Sequence, residues 1–329
     1  MRAAGADVVD LGCLPHTPFP HLEDAVRAVQ GIGCDVSVDS ANIEELRRGG
    51  KAGARFLLSL TDATLDLASE TGAVPVLVPD HHGELDSLLR AAEAADKRGI
   101  SAILDPVLDP IHFGFMSSLG RYAELRRRLP AAEMLMGTGN LTELTDTDSV
   151  GVTAALLGIC SELFIRNVLV VQVSPHTRRT IQEHDAARRI MFAARTDASL
   201  PKGYGSALLV LHDRKPFPSS PTEIAELASQ VKDANFRIEV AEDGIHVFNR
   251  KIHRVAQNAM ALFAELDVER DGPHAFYLGT ELMKAEIAWR LGKRYAQDSP
   301  LDWGCAADRL DEDLTRLAEP GHTLRARKR

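Results

Sequence analysis

Seven short apolar runs within the first 195 residues end on side chains that can bind or react: Asp10, Asp39, Ser59, Asp80, Asp105, Asn140 and, after the seventh run, Ser174 with His176. Any one such Asp more often caps the helix that follows it than binds a ligand. Recurrence at the same place in successive runs weakens that reading for the set. Several carboxylates with one amide, and no His pair at metal-binding spacing, suit a ligand rich in N–H donors better than a phosphate. A fused heterocycle with a 2-amino-4-oxo pyrimidine edge is such a ligand, because one carboxylate can take two parallel hydrogen bonds from it.

For these residues to meet, the runs must lie side by side. The strand candidates are "DVVDLGC", "DVSVD", "RFLLSLT", "VPVLVP", "AILDP", "EMLMGT" and "NVLVVQV". Helical patterns such as "HLEDAVRAVQGI", "IEELRRGGKAG", "GELDSLLRAAEAADKRG" and "GRYAELRRRL" lie between them. Near-continuous apolar strands joined by crossover helices imply a parallel sheet covered by helices. The expected fold is α/β, a (β/α)8 TIM-type barrel, with the chemistry at the C-terminal ends of the strands. Seven βα units are one short of closure. Since "MRAAGADVVD" reads as the end of a helix entering a strand, the simplest account places the first βα unit upstream of Met1. An open doubly wound sheet is the alternative.

The beat changes after Thr196. "TDASLPKGYG" reads as a linker, followed by a strand "SALLVLH", a helix from Glu223, a hairpin "FRIEVAEDGIHVFNR" turning at Asp243-Gly244, and two helices. We therefore expect a barrel over 1–196, a smaller α/β domain over 203–309 and a charged tail over 310–329.

The net charge of -9 disfavours a general nucleic-acid binder. Of the two dense basic runs, "RRR" at Arg126–Arg128 is expected on a solvated helix face and "RARKR" in a frayed terminus. No apolar run reaches the roughly 18 residues of a membrane span, and the first residues lack the pattern of a signal peptide. Cys13, Cys34, Cys160 and Cys305 have no paired spacing, so neither a zinc site nor a disulfide framework is expected. These features point to reduced thiols in a cytoplasmic protein.

"GADVVDLGC", "VSVDS", "AILDP" and "LMGTGN", in this order, resemble the pterin-binding barrel family, which includes dihydropteroate synthases and folate- or methanopterin-linked methyltransferases. The resemblance implies pterin contacts for Asp39 and Asp105, with Asp10 shaping the site. Ser59 stands where the synthases commonly have Asn. Asn140 resembles the pterin-binding Asn of the methyltransferase branch, and the "GNLT" turn lacks the Lys of the synthases' "SRKS"-like turn. "GCLPHTPFP" replaces their "GGEST"-like loop, and "VQVSPHTRR" offers His176 and Arg178 in place of their Arg-x-His pair near the diphosphate. Further on, "GPHAFYLGTELMKAEIAWRLGKRYAQD" resembles a domain that follows such barrels in synthase-related proteins of methanogens and methylotrophs, associated with tetrahydromethanopterin metabolism. The bland reading of that stretch is a packed helix stripe, with Glu281, Lys284 and Glu286 as surface pairs.

The resemblance implies condensation of a pterin methyl diphosphate with an arylamine in folate or tetrahydromethanopterin biosynthesis. Asp39, Asp105, Asn140, Asp10 and Ser59 would hold the pterin, while His176 and Arg178 would act on the diphosphate with Mg2+. No protein metal site, nucleic acid or membrane partner is expected. A homodimer and a corrinoid protein partner are left open. The alternatives are a pterin-dependent methyltransferase and a pterin-binding subunit without catalysis.

Overall fold

The computed structural model describes residues 1–308. The charged tail expected over 310–329 lies outside the described residues. Contacts group the chain into two units, Met1–Leu208 and the part from Leu209 onward.

In the first unit a 3-10 turn, Arg2–Ala4, leads into β1 (Val8–Gly12). Then follow α1 (Leu22–Gly31), β2 (Asp35–Asp39), α2 (Ile43–Lys51), β3 (Phe56–Leu60), α3 (Asp66–Thr71) and β4 (Val74–Leu77). The alternation continues with α4 (Leu85–Lys97), β5 (Ile103–Leu104), α5 (Phe115–Arg128) and β6 (Glu133–Gly137). It ends with α6 (Gly139–Thr142), α7 (Ser149–Glu162), β7 (Asn167–Leu169) and α8 (Thr180–Thr196). All seven expected strands form.

The strands pair in parallel and in chain order, β1 to β7. A doubly wound sheet reverses its strand order at a switch point. This sheet never does, so the open-sheet alternative fails. Seven consecutive parallel strands with their helices make an incomplete (β/α) barrel, in which β1 and β7 are the edges among the described residues.

Two apolar clusters identify the faces of the sheet. Leu57, Val36, Val38, Leu104 and Met136 pack with helix residues such as Leu22, Leu88 and Leu125. Leu58, Val76, Ile103 and Leu135 pack only with other strand residues. They line the helix-free inner face. Alternation along each strand then puts Asp10, Ser37, Asp39 and Asp105 on that inner face. The inside of the barrel is therefore acidic along β1 and β2 and apolar along β3 to β6.

Helix α2 approaches the sheet closely because it carries two consecutive glycines. A Cβ on Gly49 would lie 2.8 Å from a Val38 methyl, and one on Gly50 2.6 Å from the Thr71 methyl. Neither β-branched neighbour can swing away. Gly50→Ala should therefore destabilise the protein by about 1–3 kcal/mol, although Ala is the better helix former by about 1 kcal/mol. A denaturation midpoint at or above the wild-type value would refute this.

The "RRR" run only partly matches the solvated face expected of it. Arg127 and Arg128 pair with Glu124, but Arg126 donates to the Leu163, Pro130 and Ala132 carbonyls. It satisfies chain ends that an apolar side chain would leave unbonded.

The second unit holds an antiparallel sheet, β8 (Arg237–Ala241), β9 (Gly244–Phe248) and β10 (His253–Ala256), in the order β10-β9-β8. Its helices are α9 (Pro221–Gln230), α10 (Ala259–Phe263) and α11 (Gly272–Leu291). Ser220 and Glu223 cap α9 reciprocally, with Pro221 in its first turn. Ile238, Val240, Ile245 and Val247 pack on Leu278, Leu282 and Ala285.

Three readings of this part need correction. "SALLVLH" forms no strand; Val210 instead accepts from Lys293 Nζ, and His212 Nδ1 bonds the Leu291 carbonyl. The hairpin gains β10, unforeseen because an edge strand reading "HRVA" is only partly buried and shows no apolar alternation. Glu281 and Glu286 are not surface groups, being 4% and 7% exposed. Glu281 takes Tyr295 Oη at 2.6 Å and Lys284 Nζ at 2.5 Å, while Glu286 takes the Ala259 N–H and Arg290.

Candidate functional site

The acidic side of the barrel is built from paired strands. Asp10 on β1 lies in register with Ser37 on β2, whose hydroxyl donates to Asp10 Oδ1 at 2.6 Å. Two residues on, Gly12 opposes Asp39. A Cβ added at Gly12 would come within 4 Å of Asp10 Oδ2 alone, at 3.9 Å, so the glycine leaves open space beside the Asp10 carboxylate. On the other side, Leu57 pairs with Pro75 but Leu60 with Leu77, so β3 spends three residues where β4 spends two. This bulge bends the strand end, holds Ser59 at φ 62° and brings its hydroxyl to Asp39 Oδ1 at 2.6 Å.

Asp105 follows β5 and takes two bonds on one oxygen. Oδ1 accepts from Tyr122 Oη at 2.7 Å and from the Val107 N–H at 2.8 Å. Burial pushes both Asp10 and Asp105 up to about 6. The hydrogen bonds of Ser37 on Asp10, and of Tyr122 and Val107 on Asp105, work against that rise, while the Asp39 charge adds to it in both cases. The Tyr122 hydroxyl is driven well above its usual range by burial and by the same Asp105.

Asn140 lies in α6, directly after β6. Gly139 before it is required by packing, since a Cβ there would lie 2.4 Å from a Val171 methyl. The Asn140 side chain is exposed, and its Nδ2 donates to the Leu108 carbonyl at 2.7 Å, joining the loop after β6 to the loop after β5. Leu141 is a core residue, 6% exposed. His176 turns Nε2 to the Thr142 carbonyl at 3.1 Å, and Arg178 is exposed, its carbonyl accepting from Gln172. Asp80 is exposed, and its N–H bonds Ser87 Oγ. Among the described residues, then, Asp10, Asp39, Ser59 and Asp105 converge on the inner face, Asn140 joins them through the loop after β5, and His176 and Arg178 stay on the loop after β7.

Several supporting groups are missing from the sequence reading. Glu143 accepts from the Val173 and Ser174 N–H groups and from Thr177 Oγ1 at 2.7 Å. Burial alone would raise this carboxyl, but the donors outweigh it and hold it down at about 2. Glu45, buried on α2, accepts the Phe19 N–H and Ser40 Oγ and so fixes the "GCLPHTPFP" loop beside Asp39. The Cys13 thiol at the start of that loop is pushed up to about 11 by burial and by Glu45. Asp109, 2% exposed, pairs with Arg121 at 2.8 Å and with His82 at 3.4 Å. The repeated Asp-Pro of "DPVLDP" is the one sequence signal that could have flagged it. Tyr122 and Arg121 carry none, being ordinary residues of a helix until the fold places Asp105 beside them.

No family model matches the chain. It is 30% identical over 341 residues to an uncharacterised protein of Methanocaldococcus jannaschii, covering 91% of this chain and 64% of that protein. The chain thus spans less than two thirds of that relative. Among solved structures, a Yersinia pestis dihydropteroate synthase with a pterine-sulfa conjugate is 19% identical, with 59% of this chain and 85% of that chain covered and a TM-score of 0.46. The Thermus thermophilus dihydropteroate synthase is 24% identical, with 59% and 86% covered and a TM-score of 0.43. The Coxiella burnetii enzyme in complex with pteroic acid is 17% identical, with 60% and 83% covered and a TM-score of 0.47. The chain is therefore similar to solved dihydropteroate synthases over somewhat more than half its length, and to a protein without a described activity over most of it.

Proposed function

We propose that the barrel binds a pterin and joins a pterin methyl diphosphate to an arylamine in the cytoplasm, as a step of folate or tetrahydromethanopterin biosynthesis. The observation that carries this reading is that Asp10 on β1, Asp39 on the paired β2 and Asp105 after β5 share an inner face otherwise lined by Leu58, Val76, Ile103 and Leu135. Carboxylates accept the amino and ring N–H groups of the heterocycle, and the apolar wall covers its plane. Asn140 keeps Oδ1 for the ring, since its Nδ2 holds Leu108. The acids stabilise positive charge developing on the pterin as diphosphate leaves. His176 and Arg178 meet the leaving group. In this reading Mg2+ comes with the diphosphate.

A second reading, methyl transfer from a methylated pterin to a corrinoid partner, is favoured by Asn140, while Leu141, a buried apolar residue in the turn where synthases carry Lys, favours a pterin-binding subunit without catalysis. Diphosphate release from a pterin methyl diphosphate, dependent on an arylamine, supports the first reading. Methyl transfer to cob(I)alamin without diphosphate release would replace it by the second, and pterin binding with neither reaction would leave a binding subunit.

A further inference from the structure

The segment Asp105–Asp109, "DPVLD", is held at the barrel rim by side chains from α5 and from the loops on either side. Two consecutive residues of α5 grip it. Tyr122 bonds Asp105, while Arg121 donates through Nε to the Pro106 carbonyl at 3.1 Å and through Nη2 to the Val107 carbonyl and Asp109 Oδ2, both at 2.8 Å. Asn140 holds Leu108 from the next loop, Ser118 Oγ accepts the Asp109 N–H, and His82 reaches Asp109 from the loop before. In the middle of this grip Val107 sits at φ 63°, a left-handed conformation that is a genuine outlier for a β-branched residue. Such a conformation persists only when its surroundings over-determine it, and at functional sites it serves pre-organisation.

We propose that Arg121 and Val107 are positioning residues: the Arg121 clamp holds Val107 in its left-handed turn, and that turn presets Asp105 and Asn140 to receive the ring. The turn directs the Val107 N–H onto Asp105 Oδ1, already bonded by Tyr122, so Oδ2 is the oxygen left to a ligand. The same turn aims the Leu108 carbonyl at Asn140 Nδ2, leaving Oδ1 of that amide for the ring. One strained residue thus orients two groups from neighbouring strands. The inference rests on the pterin reading, and the test keeps the two apart.

The test compares 6-hydroxymethylpterin binding by calorimetry with the melting temperature for wild type, Val107→Gly and Val107→Asn. Glycine removes the strain and frees the turn, whereas Asn is the ordinary residue that best tolerates the left-handed region and so keeps it. Val107→Gly should weaken binding by about tenfold without lowering the melting temperature, because the ordering cost moves to the binding step. Val107→Asn should bind within about twofold of wild type. Unchanged affinity in Val107→Gly, a lower melting temperature in that variant, or weakened binding by Val107→Asn would each overturn the inference, the last by assigning the effect to the valine side chain. Absence of binding by wild type would overturn the pterin reading itself.

Discussion

Replacing Asp39 by Asn should weaken pterin binding by about tenfold to a hundredfold, the loss of one charge-assisted hydrogen-bonded contact. The amide keeps an acceptor for Ser59, which now donates to Oδ1 at 2.6 Å, but it can no longer take two N–H donors. The same change should leave the fold intact or firmer. Asp39 raises the carboxyls of both Asp10 and Asp105, so removing its charge relieves two buried acids together. The expected pattern is a weaker dissociation constant with an unchanged or higher melting temperature. Loss of both would make Asp39 a structural residue.

The second large effect is in the pH dependence of stability. Asp10 and Asp105 move from 3.8 to about 6 on folding, so between those values the folded chain holds protons that the unfolded chain has released. Their contribution is therefore greatest below pH 4, falls as pH rises to about 6 and is flat above. A shift of this size corresponds to at most about 3 kcal/mol per group, and partial exposure reduces that to about 1–2 kcal/mol. Two other groups shape the curve. Glu143, held at about 2, contributes stability above its ordinary value of 4.5 that is lost as pH falls toward 2. His184, lowered to about 4 by burial, contributes stability that is lost between pH 6.5 and 4 as the pH falls. Because His184 opposes the two acids in the same range, the difference between variant and wild type is the diagnostic quantity. Asp10→Asn should be more stable than wild type at pH 7.5 by about 1–2 kcal/mol and no more stable at pH 4. An equal gain at both values would show that the carboxyl of Asp10 does not titrate between them.

How much of this was legible before folding depended on the kind of signal. Strands β3 to β6 announced themselves by near-continuous apolar runs, because they are buried on both faces, while β1 and β2 set apolar residues against Asp10, Ser37 and Asp39. The strand-end acids Asp10, Asp39 and Asp105 could be picked out because each ends an apolar run, and a parallel barrel gathers such ends at one rim. Ser59 could be placed at the rim but not aimed, since the bulge that turns it to Asp39 depends on a register with β4 that no local pattern encodes. Arg121, Tyr122 and Glu143 act on loops 12 to 34 residues away in the chain, and nothing near them marks the partner. The second unit was less legible because its polar edge strand and its buried Glu281 and Glu286 depend on partners elsewhere in the unit.

The central claim is that the acidic inner face of the barrel recognises a pterin. Its most direct measurement is calorimetric titration of the protein with 6-hydroxymethylpterin at pH 7.5, alongside Asp39→Asn. Saturable one-to-one binding by the wild type, weakened in the variant while both proteins melt cooperatively, is the predicted result. No heat of binding from a folded wild-type protein, or equal binding by the two, would contradict it.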